Sequence, residues 1–320
     1  MGKINKEKIK TWFVTGASSG VGYEIVKQLL KRGYNVIAVA RRIPDFVAPN
    51  CLCLSCDVTN PIMVKNAIQE GMQKFGKIDV LVNNAGTTAG ILCEDETIEH
   101  MKAVMDVNYF GAFNTIKELL PYFRKNCNGT IINNTSMHGL SIRSYGSAYC
   151  SSKHALEGLT SVIKHETASF CRVMAFELGF YEGTDIVKNS VGIKNTKKEY
   201  NNLRIFYKPF NYHNYVNHLD KTIELIIDTV EQNNLPRHLI LGRDAVFKVK
   251  TELDILMKDL KLANKNLKKC TSLIKQDFTF NYLKDFISYF KYKLLKNIVF
   301  GKTRQRYKDK QIKYKRKLNF

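Results

Sequence analysis

The chain has 320 residues, 44% of them hydrophobic and 25% charged, which is a globular composition long enough for one sizeable core plus an appendage. No apolar run reaches the ~18 residues of a membrane-spanning helix, and residues 1–10 are polar and basic with no signal-peptide core, so a cytoplasmic protein is expected. The net charge is +21, and about two thirds of it lies beyond residue 258, so the basicity belongs mainly to the tail.

A first strand is expected at residues 12–15, followed by glycines at 16, 20 and 22 and a helix that stops at Gly33. Further strands are expected at 35–40, 52–56, 78–82, 130–133 and 173–176, with helical patterns between them. These strands are apolar without polar alternation, so both sheet faces should be covered by helices. That order predicts an α/β fold with a doubly wound parallel sheet. Residues 181–216 lose periodicity and are expected to form a long loop, either a lid or a disordered segment. A helix at 219–232, a last strand at 237–241 and a helix at 246–262 follow.

From residue 263 the composition shifts. Leu283, Ile287, Phe290, Leu294 and Ile298 recur at spacings of three and four, an apolar helical stripe flanked by lysines. Residues 302–320 form a basic block. The expected organisation is a nucleotide-binding domain over 1–262 and a basic amphipathic helical tail over 263–320. Cys51, Cys53 and Cys56 alternate along a short expected strand and point to opposite faces. No second pair stands at zinc-ligand spacing, so no metal is expected and the thiols read as reduced.

The chemistry sits in two stretches. Thr15-Gly16-Ala17-Ser18-Ser19-Gly20-Val21-Gly22 runs from strand to helix. Gly16 permits the tight turn, Gly20 lets the backbone approach a pyrophosphate, and Gly22 lets helix and sheet pack closely. Ser18, Ser19 and Val21 complete the turn, and the helix start offers amides to phosphate. After the second strand stand Arg41 and Arg42, where a ribose-binding acid is usual; guanidinium groups suit a 2′-phosphate, so NADP(H) is expected over NAD(H). Asp57 and Val58 end the third strand, and Asn84, Ala85 and Gly86 end the fourth, at the carboxyl edge where such sheets bind ligands. Tyr149 and Lys153, four apart, share a helix face. A nearby ammonium favours the phenolate, so Tyr149 is expected to exchange a proton with a carbonyl or alcohol oxygen that Ser136 also holds.

As a set, Thr15-Gly16-x-x-x-Gly20-x-Gly22, Asp57, Asn83-Asn84-Ala85-Gly86, Asn108, Ser136 and Tyr149-x-x-x-Lys153 resemble the short-chain dehydrogenase/reductase family over residues 11 to about 258. The resemblance implies a single-domain Rossmann fold and an oxidoreductase acting on a small-molecule carbonyl/alcohol pair. It implies Tyr149 as catalytic acid/base, Lys153 as the residue that tunes it and holds the nicotinamide ribose, Ser136 as substrate-oxygen partner, and Asn108 as support for a relay water. It also implies a homo-oligomer. The chain departs from the family pattern at Leu178-Gly179, where proline-glycine is usual and Gly179 would face the cofactor.

The residues admit two other readings. One is a nucleotide-binding sensor or scaffold that recruits a partner through its tail; the intact Ser136, Tyr149 and Lys153 argue against it. The other is nucleic-acid binding, which charge alone raises and no motif supports. The tail is instead expected to meet an anionic membrane surface without spanning it.

Overall fold

The computed structural model describes residues 9–88, 90–181, 197–200 and 217–270. Most of the expected loop at 181–216, the stripe at 283–298 and the basic block at 302–320 lie outside the described residues.

Among the described residues seven strands form one sheet: β1 (Thr11–Thr15), β2 (Asn35–Ala40), β3 (Cys51–Ser55), β4 (Val80–Asn83), β5 (Thr130–Asn134), β6 (Arg172–Leu178) and β7 (His238–Leu241). Their order is β3-β2-β1-β4-β5-β6-β7, and every pairing is parallel. The order reverses at β1, which pairs Thr15 with Val39 on one side and Val14 with Val82 on the other. A reversal of this kind opens a crevice at the carboxyl ends of the two central strands.

Strand alternation decides the two cores. Trp12 and Val14 point into one cluster, with Ile25 and Leu29 of α1 (Gly20–Lys31) and Ile223 and Ile227 of α6 (Leu219–Val230). Phe13 and Leu81 point into the other, with Val64 of α2 (Pro61–Phe75), Phe123 of α4 (Gly111–Asn126) and Ile163 of α5 (Ser147–Glu166). Both faces are therefore dry, which is why the strands are largely apolar.

Local chemistry sets the helix ends. The Asn60 side chain accepts from the amides of Ile62 and Met63 at the start of α2, Pro61 occupies the first turn, and Gly76 ends the helix at φ 76°. A short helix, α3 (Ile98–Met105), runs through a π-helical segment at Asp106–Phe110 into α4.

The expected strands differ from the observed ones by a residue or two, the usual uncertainty of element ends. The last helix, α7 (Arg243–Cys270), extends past the expected 246–262 at both ends. By contacts the chain divides into Met1–Lys258 and Asp259–Phe320. In the second unit the described residues are the last turns of α7, where Leu260, Leu262 and Leu267 are exposed. No helix among the described residues is long and apolar enough to cross a membrane.

Candidate active site

The glycine turn sits over the switch point. Gly16 and Gly20 have φ values of 65° and 53°, left-handed conformations that a side chain would strain. Asn84 braces the turn from β4: its amide nitrogen donates to the carbonyls of Thr15 and Gly16 at 3.0 and 3.3 Å, and its oxygen accepts from Asn134 at 2.9 Å. Thr15 Oγ1 accepts from the backbone amides of Asn84 and Ala85. Ser19, the cap of α1, makes no side-chain capping bond, and the first turn carries no acid. The first amides of α1 thus lack the side-chain cap that Asn60 gives α2.

A cavity of about 430 Å³ opens at this turn, lined by Gly16, Ser18, Ser19, Gly20, Val21, Arg41, Arg42, Asp57, Val58, Asn84, Ala85 and Gly86. Asp57 Oδ1 accepts from the amide and hydroxyl of Thr59, which fixes that carboxylate in a local turn. Both arginines are exposed, and Arg42 donates to Ser18 O at 3.1 Å. Gly22 lies behind the lining as a packing glycine: a Cβ there would come 2.2 Å from Gly16 O.

The second group gathers at the ends of β4 and β5. Lys153, buried on α5, donates to Asn134 O at 2.8 Å, and burial pulls its ammonium down to about 8 despite the charge of Glu157. Asn108, buried in the π-helical segment, accepts from Thr87 N at 2.8 Å and donates to Thr87 O at 3.0 Å and Ser152 Oγ at 2.9 Å. Its side chain is a clamp between the loop after β4 and α5. Ser136 caps the turn that follows β5, its hydroxyl accepting from His138 N at 3.1 Å, and it draws the Tyr149 phenol down.

Tyr149 differs from the sequence expectation in its electrostatics. Burial raises its phenol above the ordinary value, opposed by the Ser136 hydrogen bond and by Arg143. The Lys153 ammonium lies 5.8 Å from the ring centre and the Arg143 guanidinium 5.2 Å. Burial thus sets the net direction against the lowering that a nearby cation brings.

Residues 10–193 match the family model described as short chain dehydrogenase. The chain belongs to the short-chain dehydrogenase/reductase family of oxidoreductases. The mouse dehydrogenase/reductase SDR family member 7 is 34% identical over 217 residues, covering 61% of this chain and 62% of the mouse protein. The matched stretch thus spans about three fifths of that relative's length. An uncharacterised oxidoreductase of Schizosaccharomyces pombe is 31% identical over 284 residues, covering 85% of this chain and 94% of that one. The crystal structure of a short-chain dehydrogenase from Streptomyces avermitilis superposes with a TM-score of 0.74 at 27% identity, covering 83% of this chain and 99% of that one.

Gly179 stands apart from the cavity lining. It follows β6, donates to Leu241 O at 2.8 Å and has the Asp244 carboxylate where a Cβ would be. Asp244 also accepts from Phe180 N at 2.7 Å, so that carboxylate fixes a strand end which in the family pattern has a proline. Thr87, Thr88, Val107 and Asn134 line the cavity and were not expected. The Asn-Asn-Ala-Gly run ending at Gly86 was a signal for the two threonines, which follow it directly.

Beside α5 lies a cluster that the sequence did not disclose. Glu157, Glu177 and His238 bring ligand atoms within 4.8 Å of one another, the one such trio among the described residues. Thr135 donates to Glu157 Oε1 at 2.5 Å, and His238 Nδ1 meets Glu177 Oε1 at 2.7 Å and Glu157 Oε2 at 3.4 Å. Burial pushes the Glu177 carboxyl up to about 7; His238 is pulled up to about 9 by the two carboxylates against its own burial. Both groups hold their proton more tightly folded than unfolded. Their stabilising contribution is complete at low pH and is lost as pH rises, through Glu177 up to about 7 and through His238 up to about 9. Glu177→Gln keeps an acceptor for His238 but cannot ionise. The melting temperature of wild type relative to this variant should therefore fall between about pH 5 and about pH 8. A difference that stays level or grows with pH refutes the assignment.

Proposed function

We propose that this dehydrogenase moves a hydride between NADP(H) and a carbonyl/alcohol pair, with Tyr149 as acid/base. The observation that carries the reading is the convergence of Ser136, Tyr149, Lys153 and Asn108 beside the glycine turn. The uncapped start of α1 and the close approach of Gly16 to Ala85 fit a dinucleotide pyrophosphate, and Arg41 and Arg42 fit a 2′-phosphate.

When bound, the nicotinamide gives or takes the hydride. The protein's own residues handle the proton. In reduction Tyr149 donates its phenol proton to the carbonyl oxygen, and in oxidation it receives the proton of the alcohol. Ser136, whose hydroxyl lowers the phenol, holds the same substrate oxygen and steadies its developing charge. Lys153, anchored on Asn134 O, would offer its remaining N–H groups to a bound ribose and to the phenol. Asn108 keeps α5 against the loop after β4, which fixes Tyr149 relative to the cradle. A screen of aldehydes and ketones followed by NADPH absorbance tests the reading. No oxidation of NADPH by any class of carbonyl would refute it.

The cofactor preference has its own test. Arg41→Asp replaces a donor for the 2′-phosphate with a carboxylate that repels it. NADPH affinity should fall by about 10-fold or more while NADH affinity rises, read by fluorescence titration. Equal affinity of the wild type for the two nucleotides would overturn the assignment.

The proposal includes a peripheral membrane role for the tail and a homo-oligomeric state. Each lysine or arginine near an anionic surface contributes about 1 kcal/mol, screened by salt. Full-length protein should co-sediment with anionic vesicles at low salt, and truncation near residue 275 should abolish this. Recovery in the supernatant would refute the membrane role. A monomeric mass by light scattering, at micromolar concentration and with the tail removed, would refute the oligomer.

A further inference from the structure

Two buried carboxylate oxygens, Glu157 Oε2 and Glu177 Oε2, accept no hydrogen bond from the described residues. An unsatisfied carboxylate oxygen sealed from water is costly and calls for a partner. Both belong to the trio with His238, and its placement is built. Parallel pairing sets Ala175 of β6 opposite His238 of β7, so Glu177, two residues on, shares the sheet face of the imidazole. Thr135 Oγ1 donates to Glu157 Oε1 at 2.5 Å, which holds that oxygen and leaves Oε2 to face His238 Nδ1 at 3.4 Å. Gly139 makes room for the glutamate: a Cβ there would come 3.0 Å from Glu157 Cγ. The Glu177 side chain is 0% exposed and that of Glu157 8%, whereas His238 reaches solvent at 21%.

We propose that Glu157, Glu177 and His238 form a binding site for one divalent ion of the zinc class, with a fourth position left to water. The ion meets the two unsatisfied oxygens and ties α5, β6 and β7 together. It stabilises the fold and takes no part in the transfer of hydride or proton. The site uses neither Tyr149 nor the residues of the nucleotide cavity, so it stands whatever the carbonyl screen returns.

The donor set selects the ion. One imidazole nitrogen with two carboxylate oxygens suits zinc, whereas magnesium and calcium take oxygen donors and more of them. Ligand atoms about 2.1 Å from a tetrahedral ion stand about 3.4 Å apart. His238 Nδ1 already lies 3.4 Å from Glu157 Oε2 and 2.7 Å from Glu177 Oε1. Thr135 is then the outer partner that orients a ligand carboxylate. His238 supplies the entry path from solvent. Binding displaces the protons that these groups otherwise hold, so the melting trend given above belongs to chelator-treated protein.

The test needs no substrate. Full-length protein is stripped with a chelator, dialysed and titrated with zinc chloride. One equivalent should bind per chain, counted by elemental analysis after equilibrium dialysis. The melting temperature should rise by about 5–10 °C at a free zinc concentration about 100-fold above Kd. Millimolar magnesium should not reproduce the rise. His238→Gln and Glu157→Gln should each weaken zinc binding by about tenfold or more. Thr135→Val, which keeps all three ligands, should weaken it by about tenfold. Cys53→Ser should bind zinc as wild type does. X-ray absorption at the zinc edge should show nitrogen and oxygen neighbours without sulfur. No zinc bound, zinc held equally by wild type and His238→Gln, or a sulfur shell would each overturn the proposal. The first of these results leaves the trio holding protons alone.

Discussion

Tyr149→Phe should lower kcat by about 10²–10⁴-fold, the range contributed by a positioned acid or base. NADPH affinity should remain close to wild type. The substitution removes one oxygen and leaves a ring of the same shape in a buried site between Arg143 and His138. Ser136 keeps its backbone bond, accepting from His138 N at 3.1 Å, so the turn after β5 need not move. Tyr149 is not among the residues that line the 430 Å³ cavity, which is why binding and turnover should separate. Steady-state rates alongside fluorescence titration with NADPH measure both. A variant that turns over near the wild-type rate removes Tyr149 from the chemistry, and with it the proposed mechanism.

Gly22→Ala should damage fold and cofactor binding together. A Cβ at this position would lie 2.2 Å from Gly16 O and 2.5 Å from Asn84 Nδ2. Neither neighbour is free to yield. Gly16 is already in a left-handed turn with its own missing Cβ 2.8 Å from Ala85 Cα. Asn84 is held by Thr15, Gly16 and Asn134. The α1 helix must therefore shift away from the turn, at a cost of about 1–3 kcal/mol for overpacking. The amides that would meet a pyrophosphate shift with it, and NADPH affinity should fall by about 10-fold or more. Gly33→Ala is the control. Its φ of 79° strains a side chain, but nothing lies within 4 Å, so it should cost about 1–2 kcal/mol and leave nucleotide affinity alone. Thermal melts and fluorescence titration read the two variants. Unchanged NADPH affinity in Gly22→Ala would show that the turn does not carry the nucleotide.

How much of this was legible in the chain depends on the range of the interaction. The strands were legible because burial on both faces leaves an unbroken apolar run, as at Asn35–Ala40, which the structure places as β2. The glycine turn was legible because the need for φ above zero and for close backbone approach is local. The pairing of Tyr149 with Lys153 was legible because i and i+4 share a helix face whatever the rest of the fold does.

The tertiary structure alone decided the rest. Asn108 is singled out in the sequence only by the family resemblance; that its amide clamps Thr87 to Ser152 needs the loop after β4, the π-helical segment and α5 to converge. Glu157, Glu177 and His238 stand on α5, β6 and β7, and parallel pairing of β6 with β7 brings Glu177 and His238 together. Arg143 sits in a loop with no periodicity, and its contact with Tyr149 depends on where Thr88, 55 positions earlier, holds the guanidinium. The phenol's ionisation is of the same kind. Sequence supplies the charges, but burial sets the desolvation that opposes them, and burial is a property of the folded chain.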